Sequence, residues 1–412
     1  MITRRTLLSA APSLVLAADE RPMSKRVFLR SPQPGTAVWC YAYYASAKGR
    51  DLISIEQRIS RSDTIDVAYL RRSRDNGRTW SDPQPVTTGE KRPGGTWRLH
   101  LRFGFVDPRS RKLLEFWNEG ILPTDDPLEG LRQWNIRYRL DARTHDLLHE
   151  GAEYTPEHPL PGVWRGKNCA MIGDQACSAL AGRNGGILLP VSLTPIDAQG
   201  RLYNPGGGYT YHDAAVLHGR YERGRYLWRM SERVAGDPQL TTRGMVEPTL
   251  GWLRGRRLLM IMRGSNDRQT VLPARRWAAI STDGGFTFSK PQPWTFSNGQ
   301  PFYSPSACSQ LLPHSSGRLF WLGNITSENP RGNRPRYPFW LGEVDLDSGL
   351  LRQDSLRKID DLRPGEDPIL MLSNFYARED RQTREIVLHM SRLFAHPDNW
   401  QGDAYEYRIP VL

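Results

Sequence analysis

The chain has 412 residues, 38% hydrophobic and 24% charged, with 37 glycines, 31 prolines, 13 tryptophans and 16 tyrosines. Its apolar residues alternate in short runs and do not recur at helical spacing over long windows, which argues against a helical bundle and for an all-β chain. The net charge of +12 is carried by arginines dispersed through strands and turns, not gathered in a tract, so an acidic glycan fits better than nucleic acid.

Arg4 and Arg5 precede a short apolar stretch that ends in Val15-Leu16-Ala17. The pattern is that of a twin-arginine export signal over residues 1–17, cut after Ala17. Loss of the two arginines takes the net charge from +12 to +10, because no acidic residue precedes Asp19. The expected product is an exported bacterial protein, periplasmic or extracellular, with a single domain over residues 18–412, since repeat architectures reach this length as one unit. No other apolar run is long enough to span a bilayer.

Residues 37–44 are strand-like, and further on Ser54, Glu56 and Arg58 alternate onto one face of a strand. Val67-Ala68-Tyr69-Leu70 leads into Ser73-Arg74-Asp75-Asn76-Gly77-Arg78-Thr79-Trp80. The order Ser-x-Asp-x-Gly-x-Thr-aromatic returns at Ser281-Thr282-Asp283-Gly284-Gly285-Phe286-Thr287-Phe288, and each copy continues as Ser-x-Pro-Gln-Pro. In such a turn the Asp accepts backbone N–H groups, a Gly supplies φ > 0, and the aromatic packs beneath the loop. Weaker hairpins are expected at residues 106–114, 140–148, 218–225 and 344–351. Turns near 73, 141, 218, 281 and 345 mark five units. A sixth is shared between the termini, with residues 37–44 pairing with 405–412 to seal the ring and hide both edges. Arg408-Ile409-Pro410 reads as part of that closing strand.

The two turns resemble the Asp-box repeats of the sialidase superfamily. The resemblance implies a sialidase-like six-bladed β-propeller and an exo-glycoside hydrolase that removes a terminal acidic sugar with retention. In that family three arginines hold the sugar carboxylate, an Asp is acid/base, and a Tyr deprotonated by a Glu is the nucleophile. Carried onto this chain, the acid/base falls on Asp63, with Asp66 as fallback, and one substrate arginine falls on Arg58. Glu247 and Arg263 stand 16 residues apart, the spacing of a strand, a turn and a second strand. They take the roles of base and carboxylate clamp, guanidinium matching carboxylate through two parallel bonds. Arg336 is preferred to Arg331 and Arg334 as the next arginine because it is nearest a strand start. Tyr376 is the candidate nucleophile, with Tyr303 in a more family-like context one blade early. The family's N-terminal Arg-Ile-Pro has no counterpart better than Arg30, which opens the door to an acidic sugar other than sialic acid.

Two other readings stay open. A sialidase-fold lyase or rhamnosidase-like enzyme on uronic-acid glycans would draw base and acid from His100, His212 and Tyr211, with the Gly206-Gly207-Gly208-Tyr209 loop placed over the channel. A propeller that binds glycan without catalysis is the third. Nine histidines without zinc-ligand spacing, and the lack of a glycine-rich phosphate loop, give the expectation of no metal and no cofactor. Cys40, Cys169, Cys177 and Cys308 are too scattered for a disulfide framework, though Cys169 and Cys177 are close enough in sequence to meet. Oligomeric state is not legible.

Overall fold

The computed structural model describes residues 22–147, 170–395 and 400–411. The segment expected to be an export signal and Cys169 lie outside these residues, while Cys40, Cys177 and Cys308 are buried thiols. Six antiparallel sheets follow one another as the blades of a β-propeller. Blade 1 runs through Ala37–Tyr44, Leu52–Ile59, Val67–Ser73 and Gln84–Val86. Blade 2 is built on Gly95–Val106, Leu113–Leu122, Asn135–Leu140 and Arg143–Asp146, with Gly89–Arg92 added at its edge. Blade 3 holds Ile187–Leu193, Asp213–Glu222 and Arg225–Met230, and two short segments, Ala170–Met171 and Leu180–Ala181, pair with the first of these. Blade 4 comprises Val246–Trp252, Leu258–Arg263, Arg276–Ser281 and Gln292–Pro293, and blade 5 Gln310–Pro313, Leu319–Asn324, Phe339–Glu343 and Arg357–Asp360. Blade 6 takes Met371–Glu379, Ile386–Leu393 and Ala404–Ile409 from the end of the chain and Ser24–Leu29 from its beginning.

The packing explains the sequence pattern. A middle strand of a blade is covered on both faces by neighbouring blades, so Leu258–Arg263 reads as an unbroken run, Leu-Leu-Met-Ile-Met-Arg, with every residue buried. Large side chains fill the wedges between blades: Trp228 sits among blades 2 and 3, and Trp294 and Trp321 between blades 4 and 5, all nearly or fully buried.

The C-terminal strand differs from expectation in its partner. Residues 404–409 pair with Ser24–Leu29, in the register Ser24↔Arg408 to Val27↔Tyr405, whereas Ala37–Tyr44 opens blade 1 and packs against blade 6, bridged to it from Ala37 to Gly402 and bonded from Ser391 Oγ to the Val38 carbonyl. The earlier strand is the more polar one, and its charges are matched: Lys25 to Asp360 at 2.6 Å and Arg26 to Glu406 at 2.9 Å. Arg408 binds Asp380 at 3.1 Å within this seam.

Both copies of the repeat form the same turn. Ser73 Oγ donates to Asp75 Oδ1 at 2.8 Å and accepts from the Gly77 N–H at 2.8 Å, while Asp75 accepts from Thr79 N and Oγ1. Ser281, Asp283, Gly285 and Thr287 repeat these bonds. Gly77 has φ of 85° and Gly285 102°, the angles that select glycine there. The hairpin expected over residues 218–225 is present, with its turn at the far end of that span. His218 lies within the strand Asp213–Glu222, and the chain reverses only at residues 222–225. Gly219 serves packing, since a Cβ there would come within 2.6 Å of the Trp228 ring. His218 instead receives the second repeat, stacked on Phe286 with ring centroids 4.0 Å apart.

Candidate active site

Strands alternate in direction, so the first strand of a blade begins, and the second ends, at one mouth of the ring. The repeat turns follow third strands and fall at the other mouth. The first mouth holds a cavity of about 590 Å³. It is lined by Asp63, Glu247, Arg263 and Arg336, by Arg334, and by Asp174, Arg102, Arg243, Asn374 and Cys308, which sequence reading missed.

Glu247 opens the first strand of blade 4 and Arg263 ends the second. Their strands pair with Val246 opposite Arg263, and a bulge between Val246 and Thr249 turns Glu247 inward. Glu247 has φ of 50°, a strained value for a non-glycine residue, held by the bond from its N–H to Ser192 Oγ at 3.0 Å. Arg263 Nη1 donates to Glu247 Oε2 at 2.7 Å and its Nε to Ser306 Oγ at 2.8 Å. Burial opposes ionisation of Glu247, but Arg263, with Arg243 and Arg336 nearby, holds its carboxyl below the ordinary range.

Arg336 precedes the third strand of blade 5, anchored through Nη1 to Ser373 Oγ at 3.0 Å and through Nη2 to the Ser306 carbonyl at 3.1 Å. Burial and the neighbouring Arg263 push it down to about 10, which leaves it a cation at neutral pH. Arg243 is tied to Thr210 and likewise pushed down to about 10 by burial and by Arg263. Arg102 presents a buried Nε without a hydrogen-bond partner.

Asp63 is exposed in the loop after the second strand of blade 1, with φ of 52° and Ser62 Oγ bonded to its Oδ2 at 2.8 Å. Asp66 is outside the cavity lining. Asp174 lies across the floor. It accepts the Gln175 N–H at 2.7 Å and Asn374 Nδ2 at 2.9 Å, and Cys308 bonds to it. Burial and the adjacent Glu247 carboxylate push Asp174 up to about 6. Gly173 makes this adjacency possible, because a Cβ there would meet Glu247 Cγ at 2.6 Å and Cys177 Sγ at 3.1 Å.

Arg58 and Tyr376 are not brought to this cavity. Arg58 faces the third strand, its guanidinium 4.6 Å from the Tyr69 ring centroid. It belongs to a second strand, one step removed from the axis, where only the loop end reaches the mouth. Tyr376 is packed in the core beside Tyr41, ring centroids 5.9 Å apart, and burial pushes its hydroxyl up to about 12. The cause is a bulge between Ser373 and Phe375: Asn374, with φ of 54°, takes the cavity position, and Tyr376 falls between blades. Tyr303 lies under Arg275, and Arg30 is exposed against Asp403. His100 and His212 do line the cavity; burial, then Arg102 for the first and Arg243 for the second, keeps both neutral. Tyr211 does not, its hydroxyl donating to the Gly236 carbonyl at 3.2 Å.

With this geometry, solved structures offer a comparison. A protein of unknown function from Dyadobacter fermentans DSM 18053 superposes with a TM-score of 0.57 at 14% identity, over 93% of this chain and 99% of that one. The K499G mutant of NanB sialidase from Streptococcus pneumoniae gives 0.55 at 12%, over 93% and 70%. Trypanosoma rangeli sialidase, as a covalent intermediate with 2,3-difluorosialic acid, gives 0.54 at 12%, over 94% of this chain and 58% of that chain. The fold is a sialidase-like six-bladed propeller. No protein-family model and no curated sequence matches the chain. Among the described residues no helix is long and apolar enough to cross a membrane.

Proposed function

We propose that this chain is an exported glycoside hydrolase that removes a terminal carboxylate-bearing sugar from an acidic glycan. The observation that carries the reading is the convergence of Arg263, Arg336, Arg243 and Arg102 with three carboxylates in one cavity. Arginines of this kind bind a sugar carboxylate through paired charge-assisted bonds. Asp63, at the rim, protonates the leaving oxygen and later takes a proton from water. Glu247 keeps Arg263 in place as the clamp. A sialidase of this fold carries a covalent fluorosugar intermediate, which supports glycosyl transfer to the protein as the reaction class. Export rests on the N-terminal signal. The test is aglycone release from a chromogenic sialoside and a chromogenic hexuronide: release from either supports hydrolysis, and release from neither overturns it.

A lyase acting on a uronic-acid glycan is favoured by one observation: neutral His212 lines the cavity with Nδ1 buried and unpartnered, as a base would be. An unsaturated product absorbing in the ultraviolet, formed with no water incorporated, distinguishes it.

A further inference from the structure

Resting on the hydrolase reading, we propose that Asp174 is the nucleophile and that the sugar it attacks is a hexuronic acid, whose carboxylate is borne away from the reacting carbon. Among the described residues the only tyrosine lining the cavity is Tyr209, 53% exposed at its rim. The Glu247 carboxylate is engaged by Arg263. What the floor offers is Asp174, fixed on one oxygen by the Gln175 N–H and on the other by Asn374, a residue whose own left-handed backbone exists to reach it. These donors, with the Cys308 thiol as a third, fix the direction of the carboxylate, and an ionised carboxylate needs no base to activate it.

The chemistry balances without any co-reactant. A carboxylate oxygen of Asp174 bonds to the anomeric carbon as the glycosidic C–O bond breaks, and the proton of Asp63 goes to the leaving oxygen. Water then attacks the anomeric carbon, its proton passes to Asp63, and the ester electrons return to Asp174. The choice of sugar follows from charge. A 2-ulosonic acid carries its carboxylate on the anomeric carbon, where it repels an attacking carboxylate through a poorly screened cavity. In a hexuronic acid the carboxylate is borne not on the reacting carbon but on C5, separated from it by the ring oxygen, where the arginines can take it. The raised titration of Asp174, to about 6, still leaves it ionised at neutral pH.

The experiment uses the full chain with three readouts. A 2-deoxy-2-fluoro-hexuronosyl fluoride is expected to label the tryptic peptide 168–183, which contains Asp174; labelling of the peptide bearing Asp63 or Glu247 overturns the assignment. Asp174→Gly is expected to lose roughly 10³-fold or more in turnover of a hexuronide, and azide to restore part of it as a glycosyl azide. A folded Asp174→Gly with a tenth or more of wild-type turnover overturns the proposal, and so does a hydrolysis product of inverted configuration. A wild-type chain that cleaves the sialoside and not the hexuronide sinks this inference and leaves the hydrolase reading standing. A chain that cleaves neither sinks both.

Discussion

The repeat turns and the cavity floor both use aspartates, and they use them in opposite ways. Asp75 accepts three bonds from Ser73 and Thr79, all within a few residues, and those bonds, the Thr79 hydroxyl first, pull its carboxyl down to about 2. Asp174 is reached by Asn374 from 200 residues away, lies beside another carboxylate, and is pushed up to about 6 by burial and that neighbour. One end of the ring satisfies its charges locally and relaxes them. The other end gathers charges from different blades; Asp63, Glu247 and Asn374 are at positive φ there, as Asn76 is in the first repeat turn, so the ends differ in how charge is satisfied and not in backbone strain. On the proposed reading, stability rests on the first and reactivity on the second.

Two substitutions press hardest on that division. Asp63→Ala is expected to lower turnover by roughly 10²–10⁴-fold, the contribution of a positioned acid/base. Because Asp63 is exposed, the unfolding midpoint in urea is expected to stay where it is; a falling midpoint with turnover kept would assign Asp63 to the scaffold. Arg263→Met leaves Glu247 buried without its partner, and breaking such a pair costs about 3–5 kcal/mol. Urea unfolding checks this, and recovery in the double variant Arg263→Met with Glu247→Gln is expected, since the orphaned charge is then gone.

The same division separates what was legible in the sequence from what was not. The turn at residues 73–80 is specified by its own eight residues, so its recurrence at 281–288 was visible and carried the fold with it. Glu247 and Arg263 could be found because a single hairpin joins them. Asp174 could not, since it follows a two-residue strand and acquires its role from Asn374 in another blade and Glu247 in a third. Arg243 lies four residues before Glu247, a proximity that was the one available signal. Tyr376 was misplaced because one bulge at Ser373 shifts which residue faces the cavity, and bulges leave little trace in a pattern of period two. Arg58 was misplaced because it lies in a second strand and faces Tyr69.

Asp174→Asn tests whether the floor is held at a cost. A folded carboxyl raised from the ordinary value to about 6 binds protons that the unfolded chain has released, so stability falls as pH rises from about 4 to 6 and is then flat. The variant removes that loss. It is expected to be more stable than wild type by roughly 1–3 kcal/mol above pH 6, and equal to it near pH 4. Urea midpoints across this range decide it, and a variant less stable at pH 7 would show that the bond from Asn374 outweighs the burial of charge.

The smallest effect belongs to the repeat turn. Asp283 is held below the ordinary range by bonds from Thr287, Ser281 and Phe286, which outweigh what burial it has. A depressed carboxyl contributes stability above the ordinary pKa and loses it as pH falls below, the reverse of Asp174. Asp283→Ala is therefore expected to cost about 1 kcal/mol at pH 7, less at strongly acid pH, and nothing in hexuronide turnover. The turn is also tied to blade 3, by the stack of Phe286 on His218, by His218 Nε2 at 3.0 Å from the Gly285 carbonyl and by the Glu232 N–H donating to the Phe286 carbonyl at 2.8 Å, so His218→Ala together with Asp283→Ala is expected to cost more than the two alone. Strict additivity in that double-mutant cycle would mean that the turn holds its shape without His218, through its own bonds and the Glu232 bond to the Phe286 carbonyl.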